Sequence, residues 1–137
     1  MRSLSLLPHS RGLLLTVLLL LVFGGIGPLS AESACPDADQ LSVHCGQTPS
    51  AHYDTEGRLW VIFAQNQHAY VVNSDDHGKT FSAPVRVNDH PENIETNGEN
   101  RPKILTDNGG QTIYVSWTQK TAGQHTGDIR FSRSTDG

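Results

Sequence analysis

The chain has 137 residues and a formal net charge of −4 at neutral pH when histidine is counted as neutral. This acidic balance argues against nucleic acid as a partner, because binding to phosphate backbones needs a basic face that releases counterions. Residues 1–31 differ in composition from the rest, and the 106 residues after them suffice for one small domain with a modest core.

Residues 1–31 have the layout of a secretory signal peptide. Arg2 and Arg11 precede an apolar run, Leu13–Phe23, and the small residues Ser30–Ala31 offer a cleavage site. A membrane anchor is the alternative, but a spanning helix needs about 20 apolar residues. We therefore expect a secreted or periplasmic protein with no stable membrane span once the signal is removed.

Residues 32–47 form an N-terminal segment that holds the two cysteines of the chain, Cys35 and Cys45. An exported chain folds in an oxidising compartment, so a local disulfide between them is expected. Closing a loop of this length stabilises the folded state by about 2–3 kcal/mol, because the bond lowers the conformational entropy of the unfolded chain. Such a bond would fix the N-terminal segment and would not hold the whole fold together.

From Thr48 onwards, short alternating segments are separated by turns of Gly, Asp and Asn, which predicts an all-β fold. The order of strands and turns occurs twice. The predicted strands are Pro49–Asp54, Leu59–Gln65, Tyr70–Ser74, Thr80–Val87, Pro102–Asp107 and Ile113–Gln119.

The second unit can be aligned to the first position by position. Leu59, Trp60, Val61, Phe63 and Gln65 recur as Ile113, Tyr114, Val115, Trp117 and Gln119 at an offset of 54 residues. Ser74 and Asp76 recur as Ser134 and Asp136 at an offset of 60 residues, because the loop Lys120–Gly127 is longer.

A repeat of four short strands with a period of about 50–60 residues is typical of β-propeller blades. The first blade is predicted over 48–87, and an incomplete second blade over 101–137. The second unit has no fourth strand, which favours the N-terminal part of a propeller over the alternative, a small β-sandwich.

A compact turn motif supports the propeller interpretation. Ser74, Asp76, Gly78, Thr80 and Phe81 fit the Asp-box pattern Ser-x-Asp-x-Gly-x-Thr-aromatic. The carboxylate and hydroxyl can bond to backbone groups of the turn, while glycine supplies a conformation that other residues resist. The motif is therefore expected to be structural, with the neighbouring His77 in solvent.

Ser134 and Asp136 begin a second copy of this motif. With the strand order, the two copies resemble the sialidase-like, BNR-repeat family of β-propellers over about 90 residues. The resemblance implies a six-bladed propeller. It also implies three arginines that bind the substrate carboxylate, an Asp acid/base, and a Tyr nucleophile paired with Glu.

The Asp-box lies on the opposite end of a propeller from the active centre in this family. Strand parity therefore assigns function to the other end, where the long polar crossover 88–100 contains Glu92 and Glu99 and leads into Arg101. The loops 66–69 and 120–127 are expected at the same end.

The chain departs from the sialidase pattern at both positions that can be compared, the first substrate-binding arginine and the acid/base Asp. Arg101–Ile104 is only loosely similar to the family's Arg-Ile-Pro motif, and Gln47–Pro49 in the first unit has no arginine. No Asp and Arg pair follows Leu59–Ala64.

Two classes of function are therefore kept, and whether the protein is an enzyme stays open. The first is an exo-sialidase-type glycoside hydrolase, in which Arg101 contacts an anionic substrate and Glu92 or Glu99 assists. The second, which the departures favour, is a non-catalytic propeller or small β-domain that binds a glycan or glycoprotein. Neither needs a cofactor, and the scattered histidines predict no metal site.

Overall fold

The computed structural model describes Cys35, Asp37 and residues 39–123 and 126–136. The signal peptide predicted for 1–31 lies outside the described residues. From Cys35 onwards the described chain belongs to one compact unit. It is all-β, as predicted, with two antiparallel sheets. Among the described residues no helix is long and apolar enough to cross a membrane.

The first sheet has four strands in chain order and the second sheet has three, also in chain order. A 3₁₀ turn at Asn108–Gly110 joins the first two strands of the second sheet. The strands are β1 Gln47–Tyr53, β2 Leu59–Gln65, β3 His68–Ser74, β4 Val85–Arg86, β5 Lys103–Asp107, β6 Thr112–Lys120 and β7 Gly127–Ser134.

The predicted fourth strand, Thr80–Val87, is wrong in extent, because the observed strand is confined to Val85–Arg86, with single bonds to β3 from the amides of Ser82 and Val87 on either side. The backbone amides of Lys79 and Thr80 donate to the Asp76 carboxylate instead of to a neighbouring strand. Pro84 has no amide hydrogen to donate. The Asp-box turn therefore takes up Thr80, the first residue of the predicted strand, and Pro84 interrupts the ladder before Val85.

The hairpin between β2 and β3 shows how the sequence fixes register. Its two loop residues, Asn66 and Gln67, have φ values of 50° and 66°. Two consecutive left-handed residues form the turn type that matches the twist of two-residue hairpins. Gln65 consequently pairs with His68, and Phe63 with Tyr70, without a bulge.

The main core lies between the two sheets. We call Trp60, Ile62 and Ala64 the inner face of the first sheet, and Ile113, Val115 and Trp117 the inner face of the second sheet. Both sets belong to one cluster of buried side chains, completed by Ala69, Val71 and Ile94. The first strands of the sheets are also joined, since the Ser50 hydroxyl donates to the Pro102 carbonyl at 2.6 Å.

A second cluster covers the opposite side of the first sheet. The outer face of the first sheet consists of Val61, Phe63, Tyr70 and Val72, all buried, together with the partly buried Leu59. The N-terminal segment supplies part of the cover, because Val43 packs against this cluster. Every residue of β2 from Trp60 to Gln65 is buried, as expected for a strand covered on both faces.

The two sheets pack with non-equivalent faces. At the offset of 54 residues, the inner face of the second sheet corresponds to Leu59, Val61 and Phe63, which lie on the outer face of the first sheet. The inner face of the first sheet corresponds to Tyr114, Ser116 and Thr118, which point away from the core. The contact is therefore head-to-tail, with no two-fold relation between the sheets.

The outer face of the second sheet remains in solvent. We define it by Leu105, Tyr114, Ile129 and Phe131, which strand pairing places on one side of the sheet. Leu105 is 55% exposed, Phe131 64% and Ile129 75%. Each of these three apolar side chains is thus more than half exposed among the described residues.

Candidate functional site

The Asp-box forms a closed hydrogen-bond network around one carboxylate. Asp76 Oδ1 accepts from the Ser74 hydroxyl at 2.7 Å and from the Thr80 amide at 2.9 Å, while Oδ2 accepts from the Thr80 hydroxyl at 2.7 Å. The Thr80 amide, the Thr80 hydroxyl and the Ser74 hydroxyl lower the pKa of Asp76 to about 2. Gly78 has a φ of 85°, so the turn uses its freedom from a side chain.

The second copy opens with the same geometry. The Ser134 hydroxyl donates to Asp136 Oδ1 at 2.6 Å, matching the 2.7 Å bond from Ser74 to Asp76. Neither copy lies in the loop cluster at the other end of the sheets. Asp76 therefore has a structural role, because its hydrogen bonds stabilise the turn.

A second structural carboxylate, Asp54, was not singled out in the sequence. It accepts from the backbone amides of Glu56 and Arg58 and from the Trp60 indole, each at 2.9 Å. Burial acts to raise the pKa of Asp54, but the indole and backbone bonds outweigh it and lower that pKa overall. The signal in the sequence is an Asp three residues before a loop glycine, Gly57, and six before a Trp.

The loop end of the sheets brings together the segments expected there. The Glu92 amide donates to the Gln67 carbonyl, and the Lys120 amide donates to the Asn93 carbonyl, both at 2.8 Å. Ile94 forms a bridge with Gln119 and is buried. The crossover 88–100 is thus fastened to the β2–β3 turn and to the end of β6.

Glu92 is held in this end of the molecule by a structural contact. Its Oε2 accepts from the Trp117 indole at 2.6 Å. Like Asp54 with Trp60, it satisfies a buried indole nitrogen that would otherwise lack a partner. Glu92 lines a cleft with Gln47, Gln67 and Lys120, and that cleft does not include Arg101 or Glu99.

Arg101 and Glu99 line a separate, shallow cleft where the first strands of the two sheets meet. Its other walls include Ser50, Gly98 and Lys103. Arg101 Nε donates to the Gly98 carbonyl at 2.6 Å. The cleft therefore combines two cationic side chains with one carboxylate, an arrangement that suits an anionic ligand.

The position in the first sheet that corresponds to Arg101 has no charged side chain. Thr48 stands there, with a φ of 44° and a buried hydroxyl. A left-handed conformation at a β-branched residue costs on the order of 1–3 kcal/mol. The following Pro49 interrupts pairing, and the register between β1 and β2 shifts between Gln47 and Ser50.

Two histidines in the described part of the chain make local contacts. The His68 ring nitrogen Nδ1 lies 3.1 Å from the Asn88 carbonyl, and the His44 ring packs edge-on against Phe81. His77 is exposed in the Asp-box turn. Among the described residues, no three His, Cys, Asp or Glu side chains are grouped closely enough to hold a metal ion.

The comparisons with known proteins give no relative. No protein-family model, no curated protein and no solved structure matches this chain. The function must therefore be argued from the residues and the geometry of this chain.

Proposed function

We propose that the chain forms two successive blades of an exported, sialidase-like Asp-box β-propeller whose loop end binds an anionic glycan. The observation that carries the propeller is the head-to-tail packing of the sheets. The inner face of the first sheet packs on a face of the second sheet that corresponds by repeat to the outer face of the first, so this arrangement can continue from blade to blade around an axis. The alternative, a stand-alone β-sandwich, needs no equivalence between faces.

Two further features support this proposal. The hydroxyl-to-carboxylate bond of the Asp-box occurs in both repeats, from Ser74 to Asp76 and from Ser134 to Asp136. The first strands of the two sheets lie together at the Ser50–Pro102 bond. Innermost strands that converge in this way are what a propeller requires near its axis.

Binding without cleavage is favoured over catalysis at the loop end. Of the candidate acids, Glu92 is engaged with the Trp117 indole and lines another cleft than Arg101. The Arg101 cleft has one carboxylate, Glu99, whereas glycoside hydrolysis ordinarily uses two groups across the scissile bond. The guanidinium of Arg101 and the ammonium of Lys103 suit the carboxylate of an acidic sugar.

The test is titration of the protein with sialyllactose, using lactose as the neutral comparison, by calorimetry or NMR. We expect binding of sialyllactose only, weakened about tenfold by Arg101→Ala, since a charge-assisted bond to a carboxylate is lost. Arg86→Ala is the matched control, because Arg86 is exposed on β4 and does not line the cleft. Absence of binding, or equal weakening by both variants, contradicts the proposal.

A second candidate, an exo-sialidase-type hydrolase, is favoured by one observation, the presence of Glu99 in the Arg101 cleft. Release of sialic acid from a fluorogenic sialoside would support it if Glu99→Gln abolished that release. Binding without release supports the non-catalytic protein.

A further inference from the structure

The crossover 88–100 contains an asparagine followed by a glycine, Asn97–Gly98, in the bend that leads into Arg101. Both residues are exposed. An Asn-Gly pair can rearrange without an enzyme, because glycine has no side chain to hinder attack of its backbone nitrogen on the preceding carboxamide. The reactive atoms here are the Gly98 nitrogen and Asn97 Cγ.

The Asn97 carboxamide is held by two backbone donors. Its oxygen, Oδ1, accepts from the amide of Glu99 at 3.1 Å and from the amide of Asn100 at 2.9 Å. Attack at Cγ moves negative charge onto this oxygen. Donors that already point at the atom where charge develops lower the barrier, as they do in the oxyanion hole of an acyl-transfer enzyme.

The attacking nitrogen gives up no hydrogen bond. Among the described residues the Gly98 amide donates to no acceptor, whereas the amides on either side of it, those of Asn97 and Glu99, are bonded. The space around Gly98 is also open, since an added methyl group would meet one described side chain, Arg101, at an ordinary contact distance of 3.7 Å.

We propose that Asn97 is a site of spontaneous deamidation. The Gly98 nitrogen bonds to Asn97 Cγ, the bond from Cγ to the carboxamide nitrogen breaks, and ammonia leaves with the Gly98 amide proton. Water then opens the resulting succinimide at one of its two carbonyl groups. The product is aspartate or isoaspartate at position 97, and the reaction needs no reactant other than water.

The second Asn-Gly pair of the chain, Asn108–Gly109, is the internal comparison. It lies in the turn between β5 and β6, and the strands pair on both sides of it at Asp107 and Thr112. A methyl group at Gly109 would lie 2.5 Å from Glu56 Oε1, so this backbone is packed against a carboxylate. Crowding restricts the movement that attack needs, and the negative charge opposes loss of the Gly109 amide proton.

Deamidation places a negative charge in the turn that leads into Arg101. Arg101 Nε is bonded to the Gly98 carbonyl, and the cleft that both residues line combines two cations with one carboxylate. A second carboxylate beside this cleft offsets its excess of positive charge and weakens its attraction for an anion. This consequence rests on the proposed function, whereas the modification itself does not.

The test follows the full secreted chain during storage at neutral pH and physiological temperature. Trypsin does not cleave between arginine and proline, so it places the two Asn-Gly pairs in separate peptides, 87–103 and 104–120. Mass spectrometry measures deamidation in each peptide, and digestion in water enriched in heavy oxygen marks any that arises during the digest. A parallel sample stored in urea gives both rates for the unfolded chain.

We expect Asn97 to deamidate in the folded protein at least as fast as in urea, and Asn108 to deamidate about tenfold or more slowly than in urea. Gly98→Ala should slow the reaction at Asn97 by about tenfold or more, because the methyl group hinders attack and has room in the folded structure. The rate at Asn108 in this variant should be unchanged.

Three outcomes would overturn the proposal: slower deamidation of Asn97 in the folded protein than in urea, equal rates at the two pairs in the folded protein, or no effect of Gly98→Ala. Asn97→Asp should weaken binding of sialyllactose by about threefold, and unchanged affinity contradicts the stated effect on the Arg101 cleft. Deamidation of Asn97 in a protein that binds no sialyllactose supports the modification site and contradicts the proposed function.

Discussion

At the scale of single residues, carboxylates organise the turns of this protein. Asp76 and Asp54 each accept three or more hydrogen bonds from groups within six positions along the chain. Bonds of this kind satisfy amides that have no partner in a ladder. An acidic side chain with such a role resembles a catalytic acid in the sequence alone.

The network around Asp76 makes acid stability a test of its role. The pKa of Asp76 is about 2 in the folded protein against an ordinary value of 3.8. Ionised Asp76 therefore stabilises the fold fully above about pH 3.8, and this contribution is lost as the pH falls towards 2. We expect the stability difference between the wild type and Asp76→Asn to shrink over that interval in urea titrations. Parallel curves for the two proteins would contradict this role.

At the scale of elements, the same turn position contributes differently to two hairpins. Asp54 makes more hydrogen bonds in the hairpin between β1 and β2 than Asp107 makes in the hairpin between β5 and β6. Asp54 is buried and bonded to two backbone amides and an indole, whereas Asp107 is exposed and accepts from the Tyr114 hydroxyl at 3.1 Å. The same turn position therefore has a different energetic weight in each repeat.

Asp54→Ala is expected to lower the free energy of unfolding by about 2–4 kcal/mol, because the Trp60 indole is left buried without an acceptor. Asp107→Ala, at the equivalent position, should cost less than about 1 kcal/mol. Urea denaturation of both variants provides the measurement. Equal losses would show that the buried indole bond contributes little.

At the scale of the whole molecule, the two sheets share one core. Trp117 of the second sheet belongs to the same buried cluster as Trp60 and Ile62 of the first. A perturbation on one sheet should therefore reach the other.

Trp117→Ala is expected to destabilise the protein by about 3–5 kcal/mol, through the cavity left in the shared cluster. Amide hydrogen exchange in β2 should accelerate together with exchange in β6, because both strands border that cavity. Acceleration confined to the second sheet would mean that the sheets unfold independently. Phe131→Leu serves as an exposed control on the second sheet and should leave exchange in β2 unchanged.

Much of the fold could be predicted locally. The alternation in Leu59–Gln65 and Ile113–Gln119 predicted β2 and β6 nearly to the residue. The fourth strand could not be predicted in extent, because the Asp76 carboxylate takes the Thr80 amide and Pro84 has no amide hydrogen to donate. The candidate site was predicted as a cluster of loops, but Glu92 and Arg101 line different clefts, because the crossover folds back onto β6.

The sequence by itself determined the all-β class, the repeat and the chemistry of the Asp-box turn, because strand periodicity and turn hydrogen bonds involve residues close together in the chain. The tertiary structure decided which face of one sheet meets which face of the other, and that Glu92 serves the Trp117 indole. The physical reason is that apolar burial has no direction. An alternating strand shows that two faces exist, and only packing at close range selects the partner of each.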